Sequence, residues 1–99
     1  MSNCNFYFWI LPIEKNLNDN ICNIVTKNEI YSIRKTIIEL EKILSDDISF
    51  VKTHRSCIVN IRNIKSVDFD NNIISFVNKQ INLISRTQKK KLKERMQEV

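Results

Sequence analysis

Three short stretches of this 99-residue chain carry side chains that could do chemistry on a partner. The first ends at Asn20, after a polar run. The second is His54-Arg55-Ser56, a polar break between two apolar runs. The third is Ser85-Arg86-Thr87-Gln88, which leads into Lys89, Lys90, Lys91, Lys93 and Arg95. An arginine fork fits guanine O6 and N7, and an asparagine amide fits adenine N6 and N7, so Arg55, Arg86 and Asn20 are of the types that read base edges. The lysines suit phosphate, which positions a protein on a duplex without reading it. Each has a plainer reading: Asn20 as a turn former, Arg55 and Arg86 as exposed cations, the lysine run as a solvated helix face. Arg86 is the least comfortable under the plain reading, because a cation in the first turn of a helix opposes the helix dipole.

Catalysis is poorly supplied. His54 is the single histidine, and Cys57 lies three residues on, but no acidic residue is placed to orient them and no further ligand completes a metal set. A hydrogen-bonding or phosphate-facing role suits His54 better. The three cysteines, Cys4, Cys22 and Cys57, are odd in number and far apart, which points to buried or partly buried free thiols rather than a disulfide framework or a zinc cluster. The absence of glycine excludes every glycine-rich phosphate cradle. Asparagine and aspartate must therefore supply the turns. No catalytic site, metal or cofactor is expected, and no apolar run reaches the roughly 18 residues of a membrane span. With no convincing signal peptide, the cytoplasm is the expected location. Charge is uneven: residues 1–47 hold 5 basic and 7 acidic side chains, residues 48–99 hold 11 and 4. A basic half points toward a polyanion such as nucleic acid.

The elements that must position these residues read as strands, a short helix, more strands and a last helix. Residues 1–13 are extended, with Pro12 marking an edge or strand end. After a polar loop over 14–20, residues 21–26 and 29–34 form a hairpin turning at Lys27-Asn28. Thr36-Ile-Ile-Glu39 is a capping box that opens a helix through Leu44, with Ile37, Leu40 and Leu44 on one face. Residues 50–64 are strand-like, interrupted near 61–63, where Asn60 and Asn63 are structural. Residues 64–69, 73–77 and 81–84 make a meander turning at 70–72 and 78–80. Ser85 to Gln88 is a second capping-box pattern, before a helix whose stripe is Leu92, Met96 and Val99. The expected class is a mostly β α+β domain with one core.

The stretch Phe50-Val-Lys-Thr-His-Arg-Ser-Cys-Ile-Val-Asn-Ile-Arg-Asn-Ile64 resembles the signature of LytTR domains: an apolar-basic-x-His-Arg-Ser block, apolar residues, Asn, and an isoleucine a few positions on. The helix before it, with its Ile-x-Glu-Leu pattern ending at Leu40, and Ile84-Ser85-Arg86 after it fall in family order. The resemblance covers residues 9–92 and is nearest to the C-terminal domains of accessory-gene-regulator-like bacterial response regulators of two-component systems. It implies an elongated β fold that presents loops, rather than a helix, to two successive major grooves and the minor groove between. It places Asn20 in the first contact loop, where those relatives carry a base-contacting His. It places Arg55 in the second, where they carry Asn, and Arg86 at the family's base-reading Arg. The departures at Asn20 and Arg55 imply altered base preference. The N-terminal strand matches poorly, and no receiver domain is expected within residues 1–99.

The expected function is a sequence-specific transcriptional regulator binding double-stranded DNA through Asn20, His54, Arg55, Ser56, Arg86, Lys89 and Lys90. A homodimer or tandem binding on repeated sites is compatible with it; a membrane or small-molecule substrate is not expected. The rival is a stand-alone protein-interaction module that pairs with or competes with a full-length regulator. RNA binding is less supported, because the aromatics form no pattern of a base-stacking platform.

Overall fold

Strands β1 (Tyr7–Pro12), β2 (Cys22–Thr26), β3 (Ile30–Ile33), β4 (Phe50–His54) and β5 (Cys57–Asn60) pair antiparallel in the order β3-β2-β1-β5-β4. The computed structural model describes residues 5–13 and 20–98. The expected loop over 14–19, Cys4 and the last stripe residue Val99 lie outside them. Helix α1 (Ile37–Ile43) joins β3 to β4. A second antiparallel sheet, β6 (Ser66–Asp68), β7 (Ile73–Ser75) and β8 (Gln80–Ile81), precedes the terminal helix α2 (Lys89–Glu98).

Period-two alternation puts two apolar rows on opposite faces of the larger sheet. Val25, Trp9, Val59 and Val51 stand opposite one another across β2, β1, β5 and β4, and join a core with Ile74, Phe76, Ile84 and Leu92. Ile24, Ile10 and Ile58 form the other row and pack under Leu40 and Leu44 of α1. Because both faces are covered, β5 is buried throughout, and so it reads in sequence as an unbroken apolar run. A register shift between Tyr7 and Trp9 breaks the alternation of β1. Phe8 and Trp9 therefore both reach Phe76, with ring centroids 4.7 Å and 5.2 Å away.

Turn chemistry follows from the missing glycines. In the β2–β3 hairpin, Thr26 Oγ1 donates to Glu29 O at 2.9 Å and accepts from Glu29 N at 3.1 Å. In the β6–β7 turn, Asn72 takes φ 59°, a left-handed conformation that asparagine tolerates. Asp68 accepts there from the Asp70 and Asn71 amides. Its carboxyl is held below the usual range, first by the Asn71 side chain and then by these amides. Asn63 Nδ2 donates to Asn5 O and Tyr7 O, and Asn60 Oδ1 accepts from Arg62 N. Both asparagines have the structural role expected of them.

The capping box at Thr36 forms in full: Glu39 N donates to Thr36 Oγ1 at 3.1 Å, and Thr36 N donates to Glu39 Oε1 at 3.2 Å. The second one does not. Ser85 makes no side-chain cap, because residues Arg86–Gln88 form a 3-10 turn before α2 begins at Lys89. Its amide is drawn instead to Thr53 O at 2.8 Å. Residues 50–64 likewise divide twice, at a tight turn over 55–56 as well as at the 3-10 turn Ile61–Asn63.

Candidate nucleic-acid interface

The strand register decides which loops meet. Trp9 pairs with Val59 and Ile10 with Ile58, so the C-terminal end of β1 runs toward the β4–β5 turn at Arg55 and Ser56. The β1–β2 connection leaves from that same end and returns through exposed Asn20, with Ile13 N bonded to Ile21 O. The bond from Ser85 N to Thr53 O ties the segment carrying Arg86 beside His54. All three stretches singled out in the sequence therefore open at one end of the five-stranded sheet. With neighbouring strands about 4.8 Å apart, the roots of β2 and β5 are separated by roughly 10 Å.

The β4–β5 turn is held from within. Ser56 N donates to His54 Nδ1 at 3.3 Å, and Ser56 Oγ lies 3.1 Å from the same nitrogen. Where Nδ1 accepts from the Ser56 amide, Nε2 is the ring nitrogen that carries the proton. Arg55, at the tip, is exposed and has no hydrogen-bond or ion-pair partner among the described residues. Beneath it Cys57 is fully buried, and burial pushes its thiol up to about 12. Cys22 is buried and raised too, by desolvation first and the Glu39 charge second. Such thiols pack and do not react.

At the start of α2, Arg86, Lys89, Lys90 and Lys91 crowd the positive end of the helix dipole with no acidic residue in the first turn. Each cation there is unfavourable by about 0.3–1 kcal/mol at low salt. None of the four has an ion pair among the described residues. The rest of the basic run is engaged internally. Lys93 Nζ sits 4.7 Å over the Phe69 ring, and Arg95 donates to Ile48 O and Phe50 O while pairing with Glu98. Arg95 thereby fastens α2 to the start of β4.

Between the β4–β5 turn and α2 lies a cleft of about 420 Å³, lined among others by Lys52, His54, Arg55, Thr87, Gln88 and Lys91. Lys52 reaches Glu41 of α1 at 3.3 Å on its wall. Lys52 was not a candidate from sequence, and Thr87 and Gln88 belonged to the third stretch without being assigned a contact. The available signal for Lys52 was its place two residues before His54 in one strand-like stretch, although a register shift between the two interrupts the alternation of β4. Among the described residues, no three His, Cys, Asp or Glu side chains gather to hold a metal ion, and no helix is long and apolar enough to cross a membrane.

A search of curated proteins gives no match. Among solved structures, the chain is similar to the LytTr DNA-binding domain of a protein described as a methyl-accepting/DNA response regulator from Bacillus cereus. The TM-score is 0.71 at 18% identity, over 93% of this chain and 82% of that one. That likeness is one of fold. The family model of the LytTr DNA-binding domain matches residues 10–97. With nearly its whole length inside that model, and with the sheet and helices of that fold, the chain belongs to the LytTR family of DNA-binding domains.

Proposed function

We propose that this chain is a sequence-specific transcriptional regulator that reads double-stranded DNA through the loop end of its larger sheet, without catalysis or cofactor, in the cytoplasm. The observation that carries the reading is the convergence of Asn20, the His54-Arg55-Ser56 turn and Arg86 at one end of the sheet, beside cations with no ion pair among the described residues. Arg86 and Arg55 supply most of the base discrimination, Asn20 adds an adenine-type contact, and His54, Ser56, Lys89 and Lys90 hold the backbone.

The test is selection from a randomised duplex library, followed by salt titrations on the winning site and on random DNA. One motif should emerge. Failure to find a motif, with binding lost near physiological salt, would leave only a generic basic surface. It would favour the second reading, a module that pairs with or competes with a full-length regulator. One feature speaks for that second reading: β3 is an open sheet edge with exposed Ile30 and Tyr31.

A further inference from the structure

Lys52 leaves β4 on the α1 face of the larger sheet. It stands opposite Ile58, and Phe50, two residues earlier, clusters with Leu40 and Leu44. Glu41 follows Leu40 on α1, and its Oε1 lies 3.3 Å from Lys52 Nζ. Both side chains line the cleft between the β4–β5 turn and α2, together with Arg55 and Lys91. Glu41 is the only acidic residue among the described residues lining it, one carboxylate against three cations. It also borders, with Lys52, Lys91 and Arg95, a neighbouring cleft of about 160 Å³. Arg55 and Lys91 have no ion pair among the described residues, so Lys52 is the one cation of the larger cleft that a carboxylate holds. That hold is weak by position: the Lys52 side chain is 21% exposed and that of Glu41 44%. Ion pairs so open to water contribute little and are screened by salt.

We infer that Glu41 is a brake on DNA binding: it holds Lys52 in the free protein, and a backbone phosphate entering the cleft takes Lys52 from it. The inference rests on the DNA-binding reading above and deepens it, by adding a phosphate contact and the residue that opposes it. The root of Lys52 stands roughly 7 Å behind that of His54, two residues of strand, so its stem reaches the same cleft. A phosphodiester there meets Lys52, Arg55 and Lys91 together, a stronger set of partners than Glu41 offers to one lysine. The exchange leaves Glu41 facing the phosphate without its lysine, and like charges in one cleft repel. Binding is therefore weakened by the lost pair and by the repulsion. The weakening is even across sequences, because a phosphate contact reads no base. As Glu41 loses Lys52 it draws a salt cation while the phosphate gives one up, so the salt slope is shallower than the phosphate contacts alone would set.

Salt titrations of the full chain on random duplex DNA test this and need no selected motif. Glu41→Gln keeps the shape and removes the charge. It should tighten binding about two- to fivefold near 0.1 M salt and steepen the salt slope by up to about 1. Lys52→Met should weaken binding and flatten the slope, and Lys52→Arg should restore both. Circular dichroism and melting temperature of each variant separate a lost contact from a lost fold, and Glu41→Gln decides the matter if Lys52→Met does not fold. A Glu41→Gln protein that binds no tighter overturns the inference, as does a folded Lys52→Met with the affinity and slope of wild type. Either result leaves the DNA-binding reading standing, whereas a wild type that binds no duplex overturns both.

Discussion

Arg86 and Arg55 have the same chemistry on different supports, and their substitutions should differ accordingly. Arg86→Ala should lose about 1–3 kcal/mol on the selected site and little on random DNA, measured as the ratio of the two dissociation constants. Arg55 stands at the tip of a turn that His54 and Ser56 hold rigid, so Arg55→Asn should change the preferred base at one position of the selected motif and leave the others. Equal loss on both DNAs would reassign either residue to the phosphate backbone. Cys57 lies just under this turn with its thiol near 12. It should resist alkylation at neutral pH in the native protein and react on unfolding, read site by site by mass spectrometry. Residue types and spacing made Arg55 and Arg86 visible in the sequence. The sequence also pointed to buried or partly buried free thiols, as Cys22 and Cys57 are; how completely Cys57 is covered depends on what packs on β5.

Among the elements, the two helices begin differently. Helix α1 has a complete capping box, and the amide of Thr36 is the first cause holding the Glu39 carboxyl below its usual value, ahead of the Thr36 side chain and nearby lysines. A carboxyl depressed in the folded state adds stability above its unfolded value, near 4.5, and that contribution is lost as pH falls through the folded value. Thr36→Ala removes the hydroxyl but keeps the amide, so it should cost about 1 kcal/mol at pH 7 and only partly flatten the fall in melting temperature below about pH 4.5. Helix α2 lacks any such cap and opens on cations. Lys90→Glu should therefore raise stability by about 0.3–1 kcal/mol at low salt while weakening DNA binding. A variant that gains neither stability nor loses affinity would remove Lys90 from the interface. Sequence pattern found the first cap and misjudged the second. Ser85 has the right identity, but its amide is committed to Thr53 O, a bond formed only once β4 is in place.

For the molecule as a whole, affinity should be governed by salt. The logarithm of the binding constant should fall linearly with the logarithm of salt concentration, with a slope of about −0.9 for each phosphate neutralised. Lys89→Ala and Lys90→Ala should each reduce that slope by about 1 and weaken binding evenly across sequences. Arg95→Ala should leave the slope almost unchanged and lower stability instead, since its guanidinium is spent on Ile48 O, Phe50 O and Glu98. An Arg95 variant with normal stability and a reduced slope would contradict that division of the basic run.

The sequence by itself determined what local chemistry can specify: the alternating strands, the Thr36 cap, asparagine in place of glycine at the turns, and the motif blocks that mark the family. It also held the candidate contact residues, because guanidinium and amide groups set in polar breaks are recognisable without coordinates. Tertiary structure alone decided how these parts combine. The register of β1 against β5 brings the Asn20 connection and the Arg55 turn to one end of the sheet, and contacts more than 30 residues apart in the chain bring Arg86 beside them. It also separated Lys89 and Lys90, which have no ion pair among the described residues, from Lys93 and Arg95, which are taken up by Phe69 and by the start of β4. The physical reason is common to both: propensity and capping act over about four residues, whereas register and cation pairing depend on which distant backbone and ring come within a few ångströms.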